Sequence, residues 1–241
     1  MQKLPFNRGL AGTNFHNRRF HSFGTIHPSL VALEFSGESP KQAGQQFERG
    51  DSLAMSSLRL RLREETRDAH ASVDTLFGQH DIATREGLSI TLQAHAIALR
   101  RTLAALPGRQ TFAHARTLLV MLAAIESDLA ALDETPSTAD QTEEMDSASH
   151  PLGLIYVIAG SRLGARILLS DIERSSDPDV ASATRYFACP ESDEMWKNVS
   201  RTLKLWTGSE DEEKEIIASA QTAFRWFEAA HRTVQKASIP A

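Results

Sequence analysis

Apolar residues recur with a helical period along most of the chain. Leu58, Leu62, Val73, Leu76 and Phe77 fall at spacings that line one face of a helix, with Ser56 and Ser57 available as caps at its start. A second helix is predicted over 84–105, with Leu88, Leu92, Ala96, Leu99 and Leu103 as its buried stripe, and Pro107-Gly108 breaks the chain after it. A third, over 110–132, carries Phe112, Leu119, Leu122, Ile125 and Leu129. Residues 133–150 are rich in Asp, Glu, Ser and Thr without an apolar stripe and read as a solvated loop.

The stretch 152–169 is of another kind. Residues 152–160 hold no charge, which predicts a helix surrounded by protein rather than half-buried. Arg162 and Arg166 on its second half argue against a membrane span. Asp177-Pro178 predicts a turn, and two further helices follow over 191–206 and 210–235, with Trp196, Leu203, Phe224 and Phe227 as their large core residues. No alternating strand pattern and no repeat is present, so the expected fold class is all-α.

Residues 1–54 stand apart. They hold 6 of the 13 glycines and 3 of the 9 prolines, with neither a helical nor a strand period. Lys3, Arg8, Arg18 and Arg19 precede the first acidic residue, Glu34. That resembles a transit peptide in charge but not in serine content, and no apolar core of a secretory signal occurs. Met55-Ser-Ser-Leu opens the first clear helix, and Met55 is the expected natural start. The expected organisation is an extension or arm at 1–54, one helical domain at 55–235 and a tail at 236–241.

Composition narrows the function classes without choosing among them. The 241 residues are 41% apolar with a net charge of −5, which disfavours a nucleic-acid binder built on a global basic field. Cys189 is the single cysteine, so no intrachain disulfide or cysteine–zinc cluster is available, and a reducing, cytoplasmic setting is expected. No run of 18 uncharged apolar residues occurs, so membrane insertion is not expected either.

Several catalytic constellations are missing. There is no phosphate-binding glycine loop, no GxGxxG after a strand and no GxSxG elbow. A helical di-iron site needs two Glu-x-x-His pairs, and only Glu228-Ala-Ala-His231 has that spacing. Two segments carry more. In Leu62-Arg-Glu-Glu-Thr66-Arg-Asp-Ala-His70, with Asp74 following, Leu62, Thr66 and His70 share a helical face that also bears Leu58, Val73 and Phe77. A neutral imidazole on such a face can hold a haem iron, with Arg63 and Arg67 within reach of propionates. It can equally be a boundary histidine bonded to Asp74. In Tyr156-Val-Ile-Ala-Gly160-Ser161-Arg162-Leu163-Gly164-Ala165-Arg166, two glycines sit one turn apart in an apolar helix. Each costs about 0.8–1 kcal/mol against alanine, so close approach of another body is implied. That body can be a neighbouring helix or a flat ligand.

Taken in order, the two segments resemble the haem oxygenase family. Leu62, Arg63, Thr66 and His70 match its Leu-basic-x-x-Thr-x-x-x-His pattern, and Gly160-Ser-Arg-Leu-Gly164-Ala165 looks like the Gly-Ser-x-Leu-Gly-Ala form of bacterial members, including those linked to bacteriophytochromes. The resemblance covers roughly residues 55–232. It implies a single-domain helical bundle with haem between a proximal helix and a kinked distal helix. It also implies His70 as the iron ligand, Gly160, Ser161 and Gly164 on the distal side, Arg63 as the best propionate anchor with Arg67, Arg162 and Arg166 as alternatives, and Phe224 in the pocket wall. For Phe227, core packing is the preferred reading. Mammalian-type members carry an aspartate where Ser161 stands and a glycine where Ala165 stands. The implied reaction opens haem to biliverdin, releasing ferrous iron and carbon monoxide, with O2 and an external electron donor such as a reductase or ferredoxin. A bacteriophytochrome is a candidate acceptor of biliverdin. The rival reading is a carrier or sensor of the same fold that binds haem without degrading it.

Overall fold

In the computed structural model, the structure describes residues 57–108, 114–137 and 149–238. The arm at 1–54, the proposed start at Met55 and Phe112 lie outside the described residues. Among the described residues the secondary structure is entirely helical: α1 (Ser57–Glu65), α2 (Arg67–Phe77), α3 (Arg85–Ala105), α4 (Ala115–Ala131), α5 (Pro151–Glu173), α6 (Pro178–Ser182), α7 (Glu191–Lys204) and α8 (Glu210–Ser238).

Local chemistry sets the helix starts. The Thr84 hydroxyl accepts from the Gly87 N–H at 3.1 Å and caps α3. His150 Nδ1 does the same for Leu152 N–H at 3.2 Å, with Pro151 in the first turn of α5. Each such cap contributes about 1 kcal/mol. Asp177-Pro178, expected as a turn, instead starts α6: Asp177 Oδ1 accepts from the Asp179 N–H at 2.9 Å and proline occupies the first turn, where its missing donor is harmless.

The long helix α8 is the spine of the bundle. It packs along α3 on one side and α5 on another, and also receives α1 and α2. Helix α4 covers α3, and α7 covers α5. Leu88, Leu92, Leu99, Leu118, Met121, Ile125, Leu129, Leu154, Ile155 and Ile216 form the centre, each buried; removing such a side chain from water contributes roughly 1.5–3 kcal/mol. Helix α5 would be long and apolar enough to cross a membrane, with a mean hydropathy of 1.6 over 18 residues. Here it is the core helix between α7 and α8, as its uncharged first half predicts.

Two expectations are corrected. The first predicted helix is two, because the run breaks at Thr66. On α4, Leu122, Ile125 and Leu129 are buried as expected, but Leu119 is 55% exposed and Leu118 takes its place in the core. Both leucines fit a helical period, and only the direction of α3 chooses between them.

Candidate functional site

Thr66 marks the hinge that aims α2. It is buried, its hydroxyl donates to the Leu62 carbonyl at 2.6 Å, and its own carbonyl accepts from the His70 N–H at 2.9 Å. Backbone hydrogen bonding thus continues from α1 into α2 across the irregularity, and His70 falls one turn beyond it. The His70 side chain is 41% exposed. Its Nδ1 lies 3.1 Å from Asp74 Oδ2, and the edge of its ring meets Phe224 at a centroid distance of 5.6 Å. A carboxylate on Nδ1 assigns the proton of a neutral ring to that nitrogen, which leaves Nε2 as the nitrogen that could take a metal. The bond to Asp74 is therefore compatible with a boundary histidine and with a ligand alike.

Helix α2 has no fully buried residue, although it carries Val73, Leu76 and Phe77. Its apolar face is half covered. The reason is architectural: α2 and α5 each pack against α8, but they do not pack extensively against one another.

The glycines of α5 divide by role. A Cβ at Gly153 would stand 2.1 Å from the Ile216 carbonyl oxygen and 2.8 Å from Ser219 Cβ, so Gly153 is where α5 and α8 approach too closely for any side chain. A Cβ at Gly160 would meet only Trp196 Cζ3, at 4.0 Å. Nothing in the protein needs Gly160 to be bare. Helix packing, the plainer of the two explanations offered by the sequence, applies to Gly153 and not to Gly160. Gly164 is half-buried on the same face of α5.

Among the described residues, no group of three or more His, Cys, Asp or Glu converges on a point that could hold a metal ion. Glu228 is paired with Arg232 at 3.0 Å, and His231 Nε2 faces His80 Nε2 at 3.1 Å. A metal at His70 would have to arrive with its remaining ligands, as iron does in a porphyrin.

No protein-family model matches the chain. A haem oxygenase of Xanthomonas campestris pv. campestris (strain 8004) is 30% identical over 105 residues, which are 43% of this chain and 62% of that protein. The match therefore spans less than two thirds of that relative's length. The solved haem oxygenase of Neisseria meningitidis, studied with NO and CO bound, superposes with a TM-score of 0.54 at 20% identity, covering 76% of this chain and 94% of the other. The chain has the fold of that haem oxygenase.

Against the haem oxygenase fold, the remaining residues singled out by the sequence sort as follows. Arg63 is half-buried on α1; Arg67 is exposed and 3.9 Å from Glu64; Arg166 is exposed and 3.4 Å from Asp193. Arg162 is not available to a ligand's carboxylates. It is 5% exposed, its Nε donates to Ser192 Oγ at 3.0 Å, and one terminal nitrogen donates to the carbonyls of Tyr186 and Phe187 at 2.8 and 3.0 Å. Its guanidinium also lies 4.6 Å above the Tyr186 ring. It ties α5 to the segment 183–190 and the start of α7, and its expected role as a propionate anchor is withdrawn. Ser161 is exposed and its hydroxyl donates to the Ile158 carbonyl at 2.8 Å, so it is committed to its own helix. Phe224 is buried against His70, and Phe227 is buried beside Phe77 at 6.5 Å.

One residue of this region escaped the sequence. His95, on α3, has its Nδ1 2.8 Å from the Thr91 carbonyl and rings of Phe77, Tyr186 and Phe227 around it. The only trace in the chain is a lone imidazole, one turn after Thr91, in an otherwise apolar stripe.

Proposed function

We propose that this protein is a haem oxygenase, converting haem to biliverdin with release of ferrous iron and carbon monoxide. The observation that supports this reading is the occurrence together of His70, on a helix whose apolar face is half covered, and Gly160, where an added Cβ would meet only Trp196, on a helix that does not pack extensively against the first. Haem, once bound, supplies an oxygen-activating iron and is itself the framework that is cleaved. The chain's own residues bind and orient it. His70 Nε2 would hold the iron, and Asp74 fixes the orientation of the imidazole through Nδ1. Gly160 and Gly164 would leave room beside the α5 backbone for a small ligand. Phe224, pressed against His70, excludes water from the proximal side. Arg63 would pair with a propionate and so help fix the rotation of the ring. Electrons come from a reductase or ferredoxin, the setting is cytoplasmic, and the biliverdin serves iron release or a bacteriophytochrome-type acceptor.

The test is the absorption spectrum of the hemin-loaded protein before and after adding an electron donor in air. Decay of the Soret band with growth of the broad red absorption of biliverdin is expected. A Soret band that forms and then survives reduction and oxygen would replace the oxygenase by a carrier or sensor.

A further inference from the structure

Two imidazoles meet at the end of α2. His80, in the turn that follows Phe77, has its Nε2 3.1 Å from Nε2 of His231 on α8. His231 is fully buried and His80 is half-buried. The amide nitrogen of Gln235, one turn further along α8, approaches the same His80 nitrogen at 3.5 Å. The Phe77 ring lies against His231 at a centroid distance of 4.9 Å.

The partners fix where the protons sit. When two ring nitrogens share a hydrogen bond, one donates and the other accepts. An amide nitrogen only donates, so Gln235 marks His80 Nε2 as the acceptor, and His231 carries its proton on Nε2. His231 Nδ1 is then a bare acceptor, buried and without a hydrogen-bond partner among the described residues. The reverse arrangement would leave a buried N–H there, the rarer and costlier defect. A further proton is badly placed on either ring. On His80 it goes to Nε2 and meets the Nε2–H of His231 head-on. On His231 it goes to Nδ1, where no described residue accepts it.

The surroundings do not relieve the added charge. Burial, then the charges of His80 and Arg232, lower the pKa of His231. The Glu228 carboxylate is engaged with Arg232 at 3.0 Å, and that of Asp81 accepts from the Ala83 N–H at 3.0 Å. Helix α3 presents Ile90, Ala94 and Ile97 to Val234 and Phe77. Its His95 meets Phe77 at 5.2 Å and, with a pKa of about 4, stays neutral through mild acid. The closed pair is therefore complete above the ordinary histidine value of 6.5 and is lost as pH falls through the lowered one.

We propose that the His80–His231 pair is a proton-operated latch: closed, it holds the turn after α2 on α8, and an added proton releases that turn and loosens α2. Helix α2 depends on the latch because it has no fully buried residue of its own. The latch stands on its own geometry. That its opening weakens haem retention rests on the reading above, in which α2 carries the iron ligand His70.

Two measurements on the full-length, ligand-free protein test the latch. With 15N-labelled histidine at pH 7, His231 is expected as the Nε2–H tautomer and His80 as the Nδ1–H tautomer. The opposite pairing, or independent titration of the two rings, would overturn the proposal. In amide hydrogen exchange, Gly78 and His80, whose N–H groups bond to the Asp74 and Phe77 carbonyls, should lose protection between pH 7 and 5, by up to about tenfold per pH unit. His80→Gln, whose side-chain carbonyl can accept from His231 without titrating, should remove that dependence. Protection independent of pH in the unmodified protein, or falling equally in His80→Gln, would make the pair a packing contact. Transfer of bound hemin to apomyoglobin should quicken from pH 7 to 5 in the unmodified protein and less so in His80→Gln. Hemin loss indifferent to pH would detach the latch from haem retention. Failure to take up hemin at all would defeat the haem reading, with the exchange data still judging the latch.

Discussion

Substituting alanine for each of two glycines in the same helix separates glycine kept for packing from glycine kept for a ligand. In a helix interior, alanine is favoured over glycine by about 0.8–1 kcal/mol. At Gly160 the new Cβ meets one atom, Trp196 Cζ3, at an ordinary contact distance of 4.0 Å, so nothing offsets the gain. Ligand-free Gly160→Ala should be more stable by about 1 kcal/mol, a rise in Tm of about 2–4 °C for a domain of this size. At Gly153 the Cβ would collide with the backbone of α8, 2.1 Å from the Ile216 carbonyl oxygen. The two helices must part, and overpacking of this kind costs about 1–3 kcal/mol, enough to outweigh the propensity gain. Thermal unfolding of both ligand-free variants gives the first comparison, and hemin titration gives the second. Gly160→Ala should combine higher stability with weaker hemin binding or slower turnover, a loss that Gly160→Leu deepens. The reasoning is refuted if Gly160→Ala lowers Tm, or if even Gly160→Leu binds and turns over haem like the unmodified protein.

The other predictions concern single side chains. His70→Ala should abolish the five-coordinate ferric haem spectrum and turnover while leaving Tm within a few degrees, because the ring is 41% exposed; an unchanged spectrum would remove His70 as the ligand. Arg162→Met should cost about 1–3 kcal/mol by stranding the Tyr186 and Phe187 carbonyls and the Ser192 hydroxyl, measured as a drop in urea midpoint. Equal stability would mean that water replaces the guanidinium. His95 links stability to pH. It titrates at 6.5 in the unfolded chain and at about 4 in the fold, so the unfolded state holds the extra proton between those values. Stability is complete above pH 6.5 and falls as pH drops toward 4, by at most about 1.4 kcal/mol per pH unit from this group. His114, His150 and His231, whose pKa values burial also lowers, add to the same trend. His95→Gln should flatten the slope, and urea melts between pH 4 and 7 would show it.

Much of the fold was legible in one dimension because helices form from local periodicity. The positions of α3, α5, α7 and α8 follow the apolar stripe to within a few residues, and the uncharged run before Gly160 announced a helix enclosed by others. The motif from Leu62 to His70 was visible for the same reason: residues four apart on a helix share a face whatever surrounds them. Tertiary contact decided the rest. Whether Leu118 or Leu119 is inside depends on where α3 lies. Gly153 and Gly160 are the same residue in the same helix, and only the nearness of α8 to one and of nothing but Trp196 to the other tells them apart. Arg162 reads as a surface cation until the carbonyls of Tyr186 and Phe187 surround it, and His95 reads as an ordinary helical residue until Phe77, Tyr186 and Phe227 close around its ring. Periodicity along a chain says which side of a helix turns inward; what it turns toward is set by residues distant in the chain, whose approach no local pattern encodes.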